Sequence, residues 1–89
     1  MQSNKLLKLV IVTPVEELYK GKIIKVTIPG TKAPFQVLYN HAPIISTIER
    51  GNIIFIDENN KYFNFYIMSG IVEVLNNKIT ILSEEIKKV

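Results

Sequence analysis

The side chains to weigh first for chemistry are His41, the single histidine, and the adjacent acids Asp57 and Glu58. A hydrolase or transferase needs a nucleophile and a base that come together, or a metal held by several ligands. His41 stands alone in a Pro-flanked loop, where its ring is suited to bond nearby backbone and brace a bend, or to meet a partner. Asp57 and Glu58 have no second acidic pair close in sequence and belong to the turn-forming run Asp57-Glu58-Asn59-Asn60, so a solvated hairpin tip accounts for them. No cysteine is present, which removes disulfide scaffolds, thiolate metal sites and thiol nucleophiles together. Neither a P-loop nor a dinucleotide fingerprint occurs. The expectation is a protein that is not an enzyme, uses no cofactor and holds no metal.

One run could still bind a ligand. Tyr62-Phe63-Asn64-Phe65-Tyr66 superficially matches the aromatic strands on which sheet domains stack bases. Alternation turns Phe63, Phe65 and Ile67 to one face and Tyr62, Asn64 and Tyr66 to the other. With the phenylalanines in the core, only two tyrosines stay outside. Eleven basic and eight acidic residues give a net charge of +3, and the lysines are scattered from Lys5 to Lys88 without a dense cluster. That balance fits a solvated mixed-charge surface better than a nucleic-acid footprint. A free-standing β-sheet adaptor or a single-stranded nucleic-acid-binding domain stands as the alternative function.

The elements that must position these residues are strands. The chain has 89 residues, 47% hydrophobic and 21% charged, which is room for one packed core and argues against disorder. Isoleucine outnumbers leucine, and β-branched side chains favour a pleated surface. Leu6-Leu7-Lys8-Leu9-Val10-Ile11-Val12 is an apolar run closed by Thr13-Pro14. Its basic start faintly resembles a signal peptide, but Lys8 interrupts the run and Pro14-Val15-Glu16-Glu17 is no cleavage site. In residues 18–28, Ile24, Val26 and Ile28 share a face, Gly21 suggests a bulge or break, and Pro29-Gly30 stops the strand.

Further strands are expected at residues 35–38, 44–48, 53–56, 61–68, 71–75 and 78–82. Asn76-Asn77 forms a tight turn that tolerates positive φ. Val72 and Val74 then share a face with Ile79 and Ile81. Seven or more short strands without helical periodicity describe a sandwich or flattened barrel. Residues 1–83 make the β domain. Residues 84–89 form a short tail with room for at most two helical turns, roughly 10 Å. No stretch approaches the roughly 20 apolar residues of a membrane-spanning helix, so any membrane association goes through a partner.

Residues 29–43 hold three prolines and a glycine around a strand of only four residues. Such a rigid loop suits a binding edge or a tight corner of the sandwich. Here the sequence resembles the epsilon subunit of F-type ATP synthases, called delta in mitochondria. The likeness covers residues 6–82 and rests on ordered blocks: Leu9-Val10-Ile11-Val12-Thr13-Pro14, Tyr19-Lys20-Gly21 and Val26-Thr27-Ile28-Pro29-Gly30. The densest is Phe35-Gln36-Val37-Leu38-Tyr39-Asn40-His41-Ala42-Pro43, where the family pattern has Gly and Pro at Gln36 and Tyr39. Gly51, Ser69-Gly70, Val72-Glu73-Val74 and Asn77-Lys78-Ile79-Thr80-Ile81-Leu82 complete it in register.

The resemblance implies an all-β, flattened sandwich of about ten short strands, without chemistry of its own. It implies a central-stalk rotor subunit of a proton-translocating synthase, peripheral at the cytoplasmic face of the bacterial inner membrane. The subunit would link gamma to the membrane c-ring and couple rotation to ATP synthesis. The gamma contact implied comprises Thr13, His41, Ala42, Pro43, Ile44 and Ser46, and the c-ring contact Thr31, Lys32, Ala33, Pro34 and Phe35. At the ring loop the family often has an acid and Gly where Lys32-Ala33-Pro34 stand. Most members carry a C-terminal helical hairpin that restrains ATP hydrolysis, and the expectation for these 89 residues is coupling without that brake or bound nucleotide. Two standard interfaces of about 800 Å² each would commit close to a third of a surface of roughly 5,300 Å².

Overall fold

The computed structural model describes residues 5–89, so the first four residues of the expected 1–83 unit lie outside the described residues. Seven strands follow in order: β1 (Leu7–Val12), β2 (Glu17–Pro29), β3 (Pro34–Val37), β4 (Ile44–Ile48), β5 (Gly51–Asp57), β6 (Tyr62–Leu75) and β7 (Lys78–Lys88). The all-β class is as expected. The count implied by the resemblance is corrected from about ten to seven, because several expected breaks are bends within long strands. No helix among the described residues is long and apolar enough to cross a membrane.

The sheet path is β1-β7-β6-β5-β2-β3, with β4 paired to β6, and an additional β1–β2 pairing closes five of the strands into a ring. Closure gives each of those five strands a partner on both sides over part of its length. Their inward faces supply one core that includes Leu7, Leu9, Ile11, Ile53, Val72, Val74, Ile79 and Ile81. Each fully buried Leu or Ile contributes about 1.5–3 kcal/mol relative to exposure.

β6 explains the lower strand count. Residues 62–67 pair with β5 and residues 70–74 with β4, while β7 follows β6 along its length with register shifts on either side of Ser69. Ser69-Gly70 is therefore the place where β6 changes partners, not a strand end. Ser83, the buried polar side chain among the described residues, donates its hydroxyl to the Ser69 carbonyl at 2.5 Å and accepts the Glu85 N–H at 3.0 Å. Its oxygen replaces ladder bonds that the bulge removes. Residues 84–88 continue β7, with 85–88 paired to residues 65–69, so they are strand where at most two helical turns were considered. Ile86 packs on the core, which favours the extended form.

β2 carries a second irregularity between Ile23 and Lys25 in its pairing with β5. The extra residue, Ile24, shifts the alternation, so Ile23 rather than Ile24 joins Val26 and Ile28 in the core. Gly21, expected at a bulge, sits in regular register opposite Leu9. Its role is close approach: an added Cβ would stand 2.9 Å from the Tyr19 hydroxyl. Tyr19 packs edge-on against Phe55 and Phe63, with centroids 4.7 and 5.2 Å apart, and Phe55 stacks between Phe63 and Phe65 at 4.9 and 5.9 Å. Lys61 and Lys88 cover the Phe63 ring. The aromatic strand thus spends its phenylalanines inward.

Ser83→Ala is expected to lower unfolding free energy by about 1–3 kcal/mol, since it strands a carbonyl and an amide at the bulge; urea denaturation measures it. Burial, and then the charges of Asp57 and Glu58, raise the Tyr19 phenol above its ordinary range. The folded state therefore holds that proton more tightly. Tyr19's contribution is full below the unfolded pKa of about 10 and falls as pH rises through the folded value. Tyr19→Phe should flatten the alkaline fall in stability, seen by denaturation across that range.

Candidate functional site

Thr13, His41, Ala42 and Pro43 border the outward face of β4, β6, β7 and β1, whereas Ile44 and Ser46 pair with the buried Val74 and Val72 and so turn to the inward face of β4, beside the loop of Thr31 to Phe35. Strand register fixes the outward face. Thr47, Ile71, Leu82 and Val12 form one transverse row, and Ile45, Glu73, Thr80 and Val10 form the next. Ile45 is 76% exposed, Ile71 49%, Leu75 47% and Leu82 45%, so large apolar side chains remain in water across neighbouring strands. Contiguous exposed apolar surface of this kind marks an interaction site.

Thr13 follows Val12 at one end of the face. Its hydroxyl accepts the Val15 and Glu16 amides at 3.3 and 3.1 Å, and its own N–H donates to the Glu16 carbonyl at 2.8 Å. The bend that carries Pro14 and Val15 is thereby fixed. His41, Ala42 and Pro43 occupy the opposite end, before β4. The His41 Nδ1–H donates to the Ala42 carbonyl at 2.8 Å and the His41 amide to the Leu38 carbonyl at 3.1 Å. The ring braces its own loop, as the lone histidine suggested. Ile44 and Ser46 begin β4 and are half-buried, whereas Ala42 and Pro43 are exposed. Thr13 and His41 therefore sit at opposite ends of the face, with the apolar rows between.

A reciprocal amide pair holds the His41 loop. Asn40 donates its N–H to Asn77 Oδ1 at 2.6 Å, Asn77 Nδ2 donates to Asn40 Oδ1 at 3.1 Å, and the Asn77 carbonyl accepts the Lys8 amide at 2.9 Å. Asn76 and Asn77 adopt φ of 51° and 63° and Asn40 φ of 66°. The turn chemistry expected at Asn76-Asn77 is present, and Asn77 additionally clamps a loop 37 residues away.

The ring-loop residues lie beside β4. Thr31, Lys32, Ala33 and Pro34 are exposed and Phe35 is half-buried. The Thr31 and Thr47 hydroxyls share a hydrogen bond of 2.7 Å, and Gly30 bridges to Ile48. A Cβ at Gly30 would stand 2.9 Å from the Phe35 ring and 2.7 Å from the Ala33 carbonyl, so this turn closes tightly only around glycine. Thr31, Pro34 and Phe35 face Ile44, Ser46 and Thr47 across an open groove. The two surfaces expected to serve different partners thus share a wall.

Sequence reasoning missed the outward apolar rows. A partial signal was present: in Ile71-Val72-Glu73-Val74-Leu75, Ile71 and Leu75 flank Glu73 on the face opposite Val72 and Val74, and large apolar side chains on both faces of a strand suit cover on both. Asp57 accepts the Asn59 and Lys61 amides at 2.8 and 2.9 Å, which gives it the turn role expected. No group of three or more His, Cys, Asp or Glu able to hold a metal occurs among the described residues.

Asn77→Gly keeps the turn's positive φ but removes both side-chain bonds to Asn40. Amide exchange at Asn40 is expected to accelerate at least tenfold, with a stability loss of about 1–2 kcal/mol. Asn77→Asp, which keeps the acceptor, should restore much of the protection.

The chain matches the family model for the delta/epsilon chain of ATP synthase, beta-sandwich domain, over residues 6–89. It is 36% identical over 75 residues to the ATP synthase epsilon chain of Hyphomonas neptunium, covering 84% of this chain and 56% of the relative. The epsilon chain of Desulfatibacillum aliphaticivorans is 35% identical over 88 residues, covering 99% and 61%. That of Chlorobium limicola is 32% identical over 84 residues, covering 94% and 96%. The chain thus spans 56% and 61% of the length of the first two relatives. A chain in the OSCP/F1/c-ring structure of Euglena gracilis mitochondrial ATP synthase superposes with a TM-score of 0.89 at 17% identity, covering 99% of this chain and 56% of that one. One in the central stalk/c-ring structure of the Tetrahymena thermophila mitochondrial enzyme superposes with a TM-score of 0.76 at 16% identity, covering 97% and 68%. At such identities the superpositions speak for the fold. The family match leaves out only the first five residues, and the chain belongs to the delta/epsilon family of ATP synthases, whose beta-sandwich domain it carries.

Proposed function

We propose that this chain is a non-catalytic central-stalk part of a rotary F-type ATP synthase, joining the gamma subunit to the ring of c subunits. It passes ion-driven rotation toward ATP synthesis that takes place in other subunits. The observation that carries this reading is the outward apolar face, with Ile45, Ile71 and Leu82 exposed between Thr13 at one end and the His41 loop at the other. Gamma covers that face, meets Thr13, His41, Ala42 and Pro43 at its borders, and reaches Ile44 and Ser46 around the free edge of β4. The ring meets Thr31, Lys32, Ala33, Pro34 and Phe35.

A coupling part needs rigidity between its contacts rather than reactive groups. The closed strand ring supplies it, and the Thr31–Thr47 bond ties the ring loop to β4. A push on the Thr31 loop therefore moves β4 and the gamma-facing rows with it. Its place is the cytoplasmic face of the bacterial inner membrane, where it is held through the complex. The bacterial epsilon chains among its relatives support this reading.

The test is co-purification. Tagged full-length chain, recovered from detergent-solubilised native membranes, should retain gamma and c subunits. Ile71→Glu with Leu82→Lys should reduce gamma recovery at least tenfold while leaving thermal unfolding nearly unchanged, because both residues are already exposed and the opposite charges introduced stand directly across from one another. Absence of gamma from the wild-type eluate would overturn the proposal.

A further inference from the structure

Lysines scattered in the sequence are gathered by strand register. Lys8 on β1 lies opposite Lys22 on β2 and Lys78 on β7, so three lysines form one transverse row on neighbouring strands, about 4.8 Å apart. All three are exposed on the outward face. Lys20, opposite Val10, stands in the next row. The nearest acids by register are Glu58, whose amide donates to the Lys22 carbonyl at 3.1 Å at the β2 end of the row, Glu73, level with Thr80 and Val10, and Glu17, opposite Val12.

Like charges directly opposite one another destabilise a sheet. The row does not guard an edge either, because β1 is paired on both sides. Glu58 stands only at the Lys22 end, so Lys8 and Lys78 have no acid in their own row beside them to offset their repulsion. The row adjoins Leu75, which pairs with Lys78, and the Asn40–Asn77 clamp of the His41 loop.

We propose that the Lys22–Lys8–Lys78 row receives an acidic segment of the protein partner that covers the adjoining apolar rows. That the partner is gamma rests on the function proposed above. The apolar continuation through Val10, Leu75 and Ile45 fits a segment with acidic and apolar side chains together. It does not fit a nucleic acid, since no aromatic side chain stands in these rows to stack a base.

The experiment measures binding of the full-length chain to its cognate gamma subunit at about 50 and 300 mM NaCl. Wild type should lose roughly tenfold in affinity between the two. The triple variant Lys8→Gln, Lys22→Gln, Lys78→Gln should bind about tenfold more weakly at low salt and show a flattened salt response. Its thermal unfolding should be unchanged or higher. Lys8→Gln alone, at the centre of the row, should move both quantities in the same direction.

Unchanged affinity and salt slope in the variants overturn the proposal. Should wild type not bind gamma, the function proposed above fails, and a synthetic peptide alternating Glu and Leu tests the row by itself. Salt-sensitive, lysine-dependent binding of that peptide supports the row, and no binding overturns it. Tighter lysine-dependent binding to phosphatidylglycerol vesicles or to a single-stranded oligonucleotide overturns the assignment to a protein segment.

Discussion

Insertion of the first strand between the second and the last is the constraint on which the rest of the molecule depends. β1 pairs with β2 antiparallel and with β7 parallel, and without it two long strands would end in open edges. The parallel ladder joins Lys8 to Lys78, so closure waits on contacts far apart in sequence and carries a large loop-closure cost. What offsets that cost is the burial of Leu7, Leu9 and Ile11 against Ile79 and Ile81. The same insertion makes the outward rows continuous from β4 to β1 and brings the three lysines together.

Closure leaves two strands outside the ring. β3 hangs on the end of β2, and β4 pairs with β6 beyond its bulge. Their free edges are what a sheet protein must cover or blunt, and the expected contact residues other than Thr13, which follows β1, lie on or beside them. The Ser69 bulge thus bears on the proposed function. It turns β6 away from β5 toward β4, with Ser83 satisfying the backbone there, and so creates the strand on which Ile45 and Thr47 are displayed.

Much of this was legible in the residues. Period-two alternation placed Val72, Val74, Ile79 and Ile81 on one face, which is the buried one, and Asn76-Asn77 announced its turn. The isolation of His41 pointed to a bracing role that its bond to Ala42 bears out. What stayed hidden depends on register between distant strands. The Ile24 bulge inverts which isoleucine faces inward, and Gly21 acts through contact with Tyr19 rather than through a bend. The lysine row and the Asn40–Asn77 clamp exist only once β1, β2 and β7 align. Turn residues within a strand resembled strand ends because Ser-Gly serves both purposes, and the partner exchange that separates the two is not local. Of the contact residues named by resemblance, Thr13 and His41 to Pro43 border one face while Ile44 and Ser46 turn to the other, and the apolar rows carry no motif.

The account places gamma on the outward rows, and the absence of native cysteine allows that to be measured with single introduced thiols. Leu82→Cys reports on the face and Tyr62→Cys, exposed near the start of β6, serves as the outside reference. In the assembled complex, thiol labelling at position 82 should slow at least tenfold relative to the isolated chain while position 62 labels at its free rate. Equal labelling at position 82 in both states, or protection of position 62 alone, would contradict the account.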